Sequence, residues 1–180
     1  LIVCGTHSPK NWEKQIDKIR KVREKGIPFL GICFGHQLAA IEYARNVMGV
    51  KEATSEEFSR SDNYDDYIVY KRNGLKVGLH YVDLNGDGFG GQRESFWNNY
   101  EVKIGFDDIW NKAPNFITVQ YHPEYQSSKQ KPHKILVKFI ESCVNYSKSL
   151  NSAHWSVIKN ENPVNRDVKY YRSGHWLGKW

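Results

Sequence analysis

The sequence predicts an α/β fold with three layers, in which a mostly parallel central sheet carries helices on both faces and a small antiparallel sheet is added. A continuous apolar run at residues 27–32 stands between two segments of helical periodicity, as expected for a parallel strand that is buried on both faces. Farther along, apolar residues alternate with polar ones over residues 75–81 and 100–104, which is typical of antiparallel strands.

The composition is that of a globular protein without a disulfide framework. Of the 180 residues, 39% are hydrophobic, and the three cysteines are odd in number and far apart. No apolar stretch approaches the roughly 18 residues of a membrane span. We therefore expect a cytoplasmic protein with no membrane partner.

Charge divides the chain into two parts. The net charge is +6, and residues 147–180 hold six Lys or Arg against two Asp or Glu. We predict a domain at residues 1–146, with a strand and helix of its fold missing before Leu1, and a basic, aromatic C-terminal extension at 147–180. Aromatic residues among cations can bind nucleic acid. We favour an extension that packs on the domain or docks a partner, and do not expect nucleic acid binding.

The N-terminal residues predict a strand, a helix and a second strand. An apolar run at residues 1–4 stops at Gly5, and Ser8-Pro9 offers a helix N-cap followed by proline. Gly26 is a typical C-terminal stop. Between these signals, apolar residues recur at helical spacing: Trp12, Ile16, Ile19 and Val22.

A cysteine stands at the junction between the second strand and a second amphipathic helix, which we expect to end at Gly49. Gly31-x-Cys33-x-Gly35 has the form of a nucleophile elbow, a tight strand-to-helix turn that presents a side chain beside electropositive backbone N–H groups. The helix end is expected to lower the pKa of Cys33 and favour the thiolate. The alternative is a buried core cysteine between glycines needed for close packing.

A candidate base follows the last predicted strand, which contains Ile117, Val119 and Tyr121. Residues two apart on a strand point to the same side, so Glu124 can orient the imidazole of His122. An isolated His-Pro-Glu is more often a surface turn, but its pairing with the elbow favours catalysis. Apolar residues at helical spacing predict a last helix: Ile135, Leu136, Phe139, Ile140 and Cys143. No clear periodicity follows it.

Four segments together resemble the class I (triad) glutamine amidotransferases, a flavodoxin-like fold, and most closely the amidotransferase domain of CTP synthases. They are residues 31–37, 41–47, 55–58 and 119–125. The resemblance covers residues 1–145, weakly over 60–110. It implies that Cys33 is the nucleophile, His122 the base and Glu124 the orienting carboxylate.

The same resemblance implies an oxyanion hole and a glutamine site. Backbone N–H groups of Phe34 and of the Gly5-Thr6 turn would hold the oxyanion. The residues implied to line the glutamine site are Gln37, Gly35, Asn99 and Glu57. The carboxylate of Glu57 would be available to the α-ammonium of the substrate.

One departure concerns the substrate carboxylate. CTP synthases carry an arginine that binds the α-carboxylate of glutamine, whereas this chain has Asn99 in that segment. An uncharged amide does not replace a bidentate guanidinium at equal strength. Glutamine is then bound weakly, or Arg93 reaches into the site, or the substrate is a different amide.

Residues 83–94 match the spacing of a calcium-binding loop. Asp83, Asn85, Asp87 and Glu94 would supply oxygen ligands at its positions 1, 3, 5 and 12. A plain Asx/Gly turn uses the same residue types and is our preferred interpretation. The histidines lack metal-ligand spacing with the cysteines, so we expect no zinc site and no cofactor. His36 would line the pocket or lie at the surface.

These observations predict a glutamine amidotransferase that releases ammonia through a thioester for a separate synthase, in the setting of nucleotide biosynthesis. Two alternatives stay open. One is a noncatalytic regulatory or binding module of the same fold, and the other is a γ-glutamyl hydrolase that acts on a larger substrate.

Overall fold

The computed structural model of the chain describes residues 1–82, 92–103, 105 and 115–161, the last nine of these by backbone alone. Two compact units divide the chain, Leu1–Tyr146 and Ser147–Trp180. The helices and strands are β1 (Ile2–Val3), α1 (Trp12–Glu24), β2 (Phe29–Ile32), α2 (Phe34–Asn46), β3 (Thr54–Ser55), β4 (Tyr67–Val82), β5 (Gln92–Val102), β6 (Phe116–Val119) and α3 (Lys134–Glu161).

The central sheet has three parallel strands in the order β1-β2-β6, with helices on both faces. On one face, Phe29 and Phe116 stack at 4.4 Å between ring centroids and pack in a cluster with α1 and α2. On the other face, Leu30 and Ile117 share a cluster with Ile135 of α3. The predicted three-layer α/β architecture is therefore confirmed.

The second sheet has the order β3-β4-β5. Its long pair, β4 and β5, is antiparallel as predicted, but β3 pairs with β4 in parallel, so the sheet is mixed. One side of the β4–β5 pair is buried and carries Glu94, Phe96 and Asn98. Its other side exposes Val77, opposite Trp97.

Several helix boundaries differ from the prediction. Helix α1 begins at Trp12, with Asn11 as the N-cap in a left-handed conformation (φ 52°), and not at the Ser8-Pro9 signal. It ends at Glu24, two residues before the predicted stop at Gly26, whose φ of 63° suits the turn out of the helix. Helix α3 continues to Glu161, so the lack of periodicity after residue 146 did not mark its end.

Helix α2 is buried on nearly every side instead of being amphipathic. Residues 34–44 are all buried, and the helix ends at Asn46, three residues before Gly49. It packs against α1 and the central sheet, and it also contacts β4 of the second sheet. Such a helix has no polar face for periodicity to reveal.

Among the described residues, no helix combines the length and the apolar character that crossing a membrane requires.

Candidate active site

Cys33 lies at a sharp backbone turn between β2 and α2. Its φ of 53° and ψ of −102° are unusual for a residue with a side chain. The backbone is held on both sides, because the Cys33 N–H donates to the carbonyl of Val119 and the Gln37 N–H to the carbonyl of Cys33. The predicted elbow is therefore present, with the sulfur at the N-terminus of a helix.

The thiol is buried, with 8% of Cys33 exposed. The pKa of Cys33 is raised from 9.0 to about 11, chiefly by burial and also by the carboxylates of Glu57 and Glu124, against the lowering effect of the Phe34 N–H and the Gln120 side chain. The prediction of a lowered pKa is thus wrong, since loss of hydration outweighs the helix end.

His122 is oriented by Glu124, as predicted, although not through strand geometry. Strand β6 ends at Val119, and a 3-10 turn at Pro123–Gln126 folds Glu124 back to His122, with 2.6 Å between Oε1 and Nδ1. The ring of Tyr125 stacks on the imidazole at 4.7 Å between centroids. The imidazole is therefore held by a hydrogen bond to Glu124 and by a ring contact.

The other imidazole nitrogen is left for chemistry. Nε2 of His122 is buried and has no hydrogen-bond partner among the described residues. Gly5 lies between His122 and Cys33, since a Cβ built on Gly5 would come within 3.0 Å of the imidazole Cε1 and 3.7 Å of the sulfur. Base and thiol thus flank one glycine, within a short distance of each other.

A cavity of about 240 Å³ opens over the thiol. Most of the predicted site residues line it, and so do several side chains that the sequence did not single out. The predicted residues are Cys33, His122, Glu124, Phe34, Gly5, Thr6, Gln37, Glu57 and Asn99, and the others are Cys4, His7, Trp97, Asn98, Tyr100 and Tyr125.

Three candidates lie elsewhere. Gly35 packs against β1, where a Cβ would meet the carbonyl oxygen of Val3 at 2.0 Å. Arg93 is exposed and does not line the cavity. His36 is neither in the cavity nor at the surface, because it is buried with its Nδ1 at 3.1 Å from the hydroxyl of Thr118.

The cavity has an acidic character. Glu57 and Glu124 line it, and no Lys or Arg does so among the described residues. Burial raises the pKa of Glu57. The cavity can therefore hold an ammonium group, whereas its described lining offers a carboxylate amide donors such as Asn99 but no Lys or Arg.

The calcium-loop candidates receive little support from the part that is described. Asp83, Asn85 and Asp87 lie outside the described residues, and Glu94 is fully buried. Its carboxylate accepts hydrogen bonds from His133 at 3.0 Å, from Gln126 at 2.9 Å and from Gln92. Across the described ranges, no group of three His, Cys, Asp or Glu side chains is placed to hold a metal ion.

Gln120 is a site residue that the sequence analysis missed. Its Nε2 lies 3.6 Å from the sulfur of Cys33, and its Oε1 accepts a hydrogen bond from Gln37. The signal available in the sequence was its position two residues before His122. That position alone does not indicate contact with a cysteine 87 residues earlier in the chain.

The chain is similar to known proteins of one family. The family profile of glutamine amidotransferase class-I matches residues 1–142. The CTP synthase of Flavobacterium psychrophilum is 32% identical over 183 residues, covering 81% of this chain and 34% of that protein. The CTP synthase of Encephalitozoon cuniculi is 30% identical over 186 residues, covering 82% and 34%. The chain thus spans about a third of the length of these relatives.

A solved structure with a similar fold is the CTPS glutaminase domain of Trypanosoma brucei with bound acivicin. The TM-score is 0.69 at 21% sequence identity, and the match covers 80% of this chain and 70% of that one. At this identity, the similarity establishes the fold.

Proposed function

This chain belongs to the class I glutamine amidotransferase family, and we propose that it hydrolyses the side-chain amide of glutamine, or of a close analogue, and supplies the ammonia to a separate synthase. The observation that carries the proposal is the meeting of Cys33, His122 and Glu124 at one cavity, with His122 Nδ1 held by Glu124 at 2.6 Å. Nucleotide biosynthesis is the proposed setting, because the relatives are CTP synthases.

The first chemical step is attack of sulfur on the carboxamide carbon. With a pKa of about 11, the resting group is a neutral thiol, so its proton has to leave during the attack. Nε2 of His122 is the acceptor, because Glu124 occupies Nδ1 and stabilises the imidazolium that forms. The pair therefore works by general-base catalysis on a thiol.

The second step is collapse of the tetrahedral intermediate. The backbone N–H of Phe34, at the start of α2, and the Gly5-Thr6 turn are the proposed donors to its oxyanion. His122 returns the proton to the departing ammonia, which leaves a thioester on Cys33. Water, activated by the same imidazole, then hydrolyses the thioester and restores the thiol.

The lining offers different partners to the two charged groups of the substrate. Glu57 lines the cavity and is the proposed partner of the α-ammonium. The proposed partner of the α-carboxylate is Asn99, whose amide donates without charge, so we expect weak binding of free glutamine. A larger γ-glutamyl amide presents the same α-ammonium and α-carboxylate to this lining and is the second candidate substrate.

The three cysteines are free thiols, which suits a reducing compartment such as the cytoplasm.

The test is ammonia release from glutamine, and release of p-nitroaniline from γ-glutamyl-p-nitroanilide, by the wild type and by Cys33→Ala. We expect Cys33→Ala to lose at least about a thousandfold in rate. Cys143→Ala, on α3 and outside the cavity, is the matched control and keeps the wild-type rate.

Other outcomes separate the alternatives. Activity that survives Cys33→Ala would remove Cys33 as the nucleophile. Turnover of the anilide without turnover of glutamine would support the γ-glutamyl hydrolase. Absence of both, together with no labelling of Cys33 by a diazoketone analogue of glutamine, would support a noncatalytic binding module.

A further inference from the structure

We infer that Gln120 is a further catalytic residue, which directs an N–H group of its amide at the sulfur of Cys33 and stabilises the thiolate, and that Gln37 is a positioning residue, which fixes the direction of that amide. This inference deepens the proposed function and rests on Cys33 being its nucleophile. The contact joins two strands of the central sheet at their carboxyl ends, since Cys33 follows β2 and Gln120 follows β6.

The direction of the Gln120 amide follows from its neighbours. The backbone carbonyl of Tyr100 can only accept hydrogen bonds, so the group that Gln37 presents to it at 3.2 Å is the NH₂ group. The same NH₂ group lies 3.3 Å from Gln120, which therefore presents its oxygen, Oε1. The NH₂ group of Gln120 is then left pointing at the sulfur, at 3.6 Å.

The donor matters because the sulfur has few stabilising partners. The thiol can donate to the carbonyl of Trp97, at 3.9 Å, but this carbonyl oxygen cannot stabilise a thiolate. Among the described residues, the partners that lower the pKa of Cys33 are the Phe34 N–H and the Gln120 side chain. In a buried site, a hydrogen bond to a charged group is stronger than one in water.

Titratable groups line the cavity from several of the elements around it, so the variants have to be compared with the wild type at the same pH. Those that line the cavity are Cys4 and His7 after β1, Glu57 after β3, Tyr100 on β5, and His122, Glu124 and Tyr125 after β6.

The experiment measures the rate at which iodoacetamide alkylates Cys33 between pH 7 and 9, read from the mass of the peptide that carries it. In this range the thiolate is the minor form, so the rate follows its fraction. For Gln120→Leu, which keeps the size of the side chain but removes the donor, we expect alkylation about tenfold slower. Gln120→Glu places a negative charge at the sulfur and should be slower still.

Two controls are part of the same measurement. Cys143 of the same chain is alkylated in the same tube, and its rate should not change. Gln15→Leu removes an amide on α1 that donates to the carbonyl of Lys10 at 3.0 Å, and should leave Cys33 unaffected. Gln37→Leu frees the Gln120 amide to rotate and should slow alkylation of Cys33 by less than Gln120→Leu does.

The readout distinguishes these roles from a merely structural one. Loosening of the site would expose the thiol and speed alkylation, which is opposite to the expected result. If Gln120→Leu fails to fold by circular dichroism, Gln120→Glu and Gln37→Leu carry the test. Unchanged or faster alkylation in the folded variants would overturn the inference. Because alkylation needs no glutamine turnover, the inference and the proposed function fail separately.

Discussion

The unusual backbone conformation of Cys33 depends on the glycines two residues before and two residues after it. A Cβ on Gly31 would come within 2.8 Å of the Gly35 backbone, and one on Gly35 within 2.0 Å of the carbonyl oxygen of Val3. Neither glycine has a positive φ; Cys33 itself does. The two glycines are therefore needed for close packing of β1, β2 and α2, which hold the cysteine in a strained conformation.

The raised pKa of Cys33 predicts a loss of stability at high pH. The folded chain holds the thiol proton up to about pH 11, whereas the unfolded thiol loses it near pH 9.0. The contribution to the free energy of unfolding is thus full below pH 9 and falls as the pH rises toward 11. Between pH 8 and 10.5 we expect this to cost the wild type about 2 kcal/mol.

Urea unfolding of the wild type and of Cys33→Ala at both pH values measures this term. Alanine cannot titrate, so the decline in the variant should be smaller by about the same 2 kcal/mol. Equal declines in the two proteins would mean that the folded thiol has an ordinary pKa.

Asn99 offers a test of substrate recognition. Asn99→Arg would bring a cation to the cavity wall, and a guanidinium can bind the α-carboxylate through two hydrogen bonds. We expect KM for glutamine to fall about tenfold or more, with kcat little changed. Steady-state ammonia release measures both constants.

Asn99→Gln, which adds length without charge, should leave KM unchanged. Glutamine α-methyl ester should gain nothing from the arginine. An equal gain for the ester would show that the arginine acts other than through the carboxylate.

Helices α1 and α2 are tied by a buried ion pair. Glu42 is fully buried and accepts two hydrogen bonds of 2.8 Å from Arg23, whose pKa is raised chiefly by these bonds. Arg23→Met would leave an unpaired buried carboxylate and should cost about 3–5 kcal/mol in the free energy of unfolding. Arg23→Met with Glu42→Met should recover most of that loss, as measured by urea unfolding.

Arg20→Met is the matched control. Arg20 pairs with Asp17 at 2.8 Å on the exposed side of α1, where water screens the charges and an ion pair contributes little to stability. If Arg23→Met cost no more than Arg20→Met, the Glu42 carboxylate would have to be protonated or hydrated in the variant.

The β4–β5 pair shows how far alternation can be used. It predicts the strands correctly, but not which side the core covers. Between Leu75 and Tyr81, the apolar residues of β4 are on the exposed side, with Leu75 48% and Leu79 56% exposed, whereas the buried side of the pair contains the carboxylate of Glu94. The buried carboxylate of Glu94 is stabilised because Gln126 and His133, from distant segments of the chain, donate hydrogen bonds to it.

All proposed site residues lie in the unit Leu1–Tyr146. A chain shortened to residues 1–146 keeps Ile135 and Phe139, through which α3 contributes to the core. We therefore expect it to fold and to release ammonia within about twofold of the full chain. Circular dichroism and the ammonia assay measure the two properties.

Cys33→Ala in the shortened chain is the control for background hydrolysis. A folded but inactive shortened chain would assign residues 147–180 a part in catalysis, and it would contradict the view that the site is complete without them.

Local features of the chain were enough to predict the parallel strands, the elbow at Cys33 and the His-Pro-Glu segment, because apolar periodicity and glycine spacing act over a few residues. The wrong predictions about the site concern properties set by distant contacts. Burial of Cys33 beneath Gly5 and Trp97 raises a pKa that the helix end was expected to lower. The contact between Gln120 and Cys33 likewise exists because β2 and β6 pair in the sheet. The hydration and the hydrogen bonding of one atom depend on all the groups that folding brings around it, and these groups come from distant parts of the sequence.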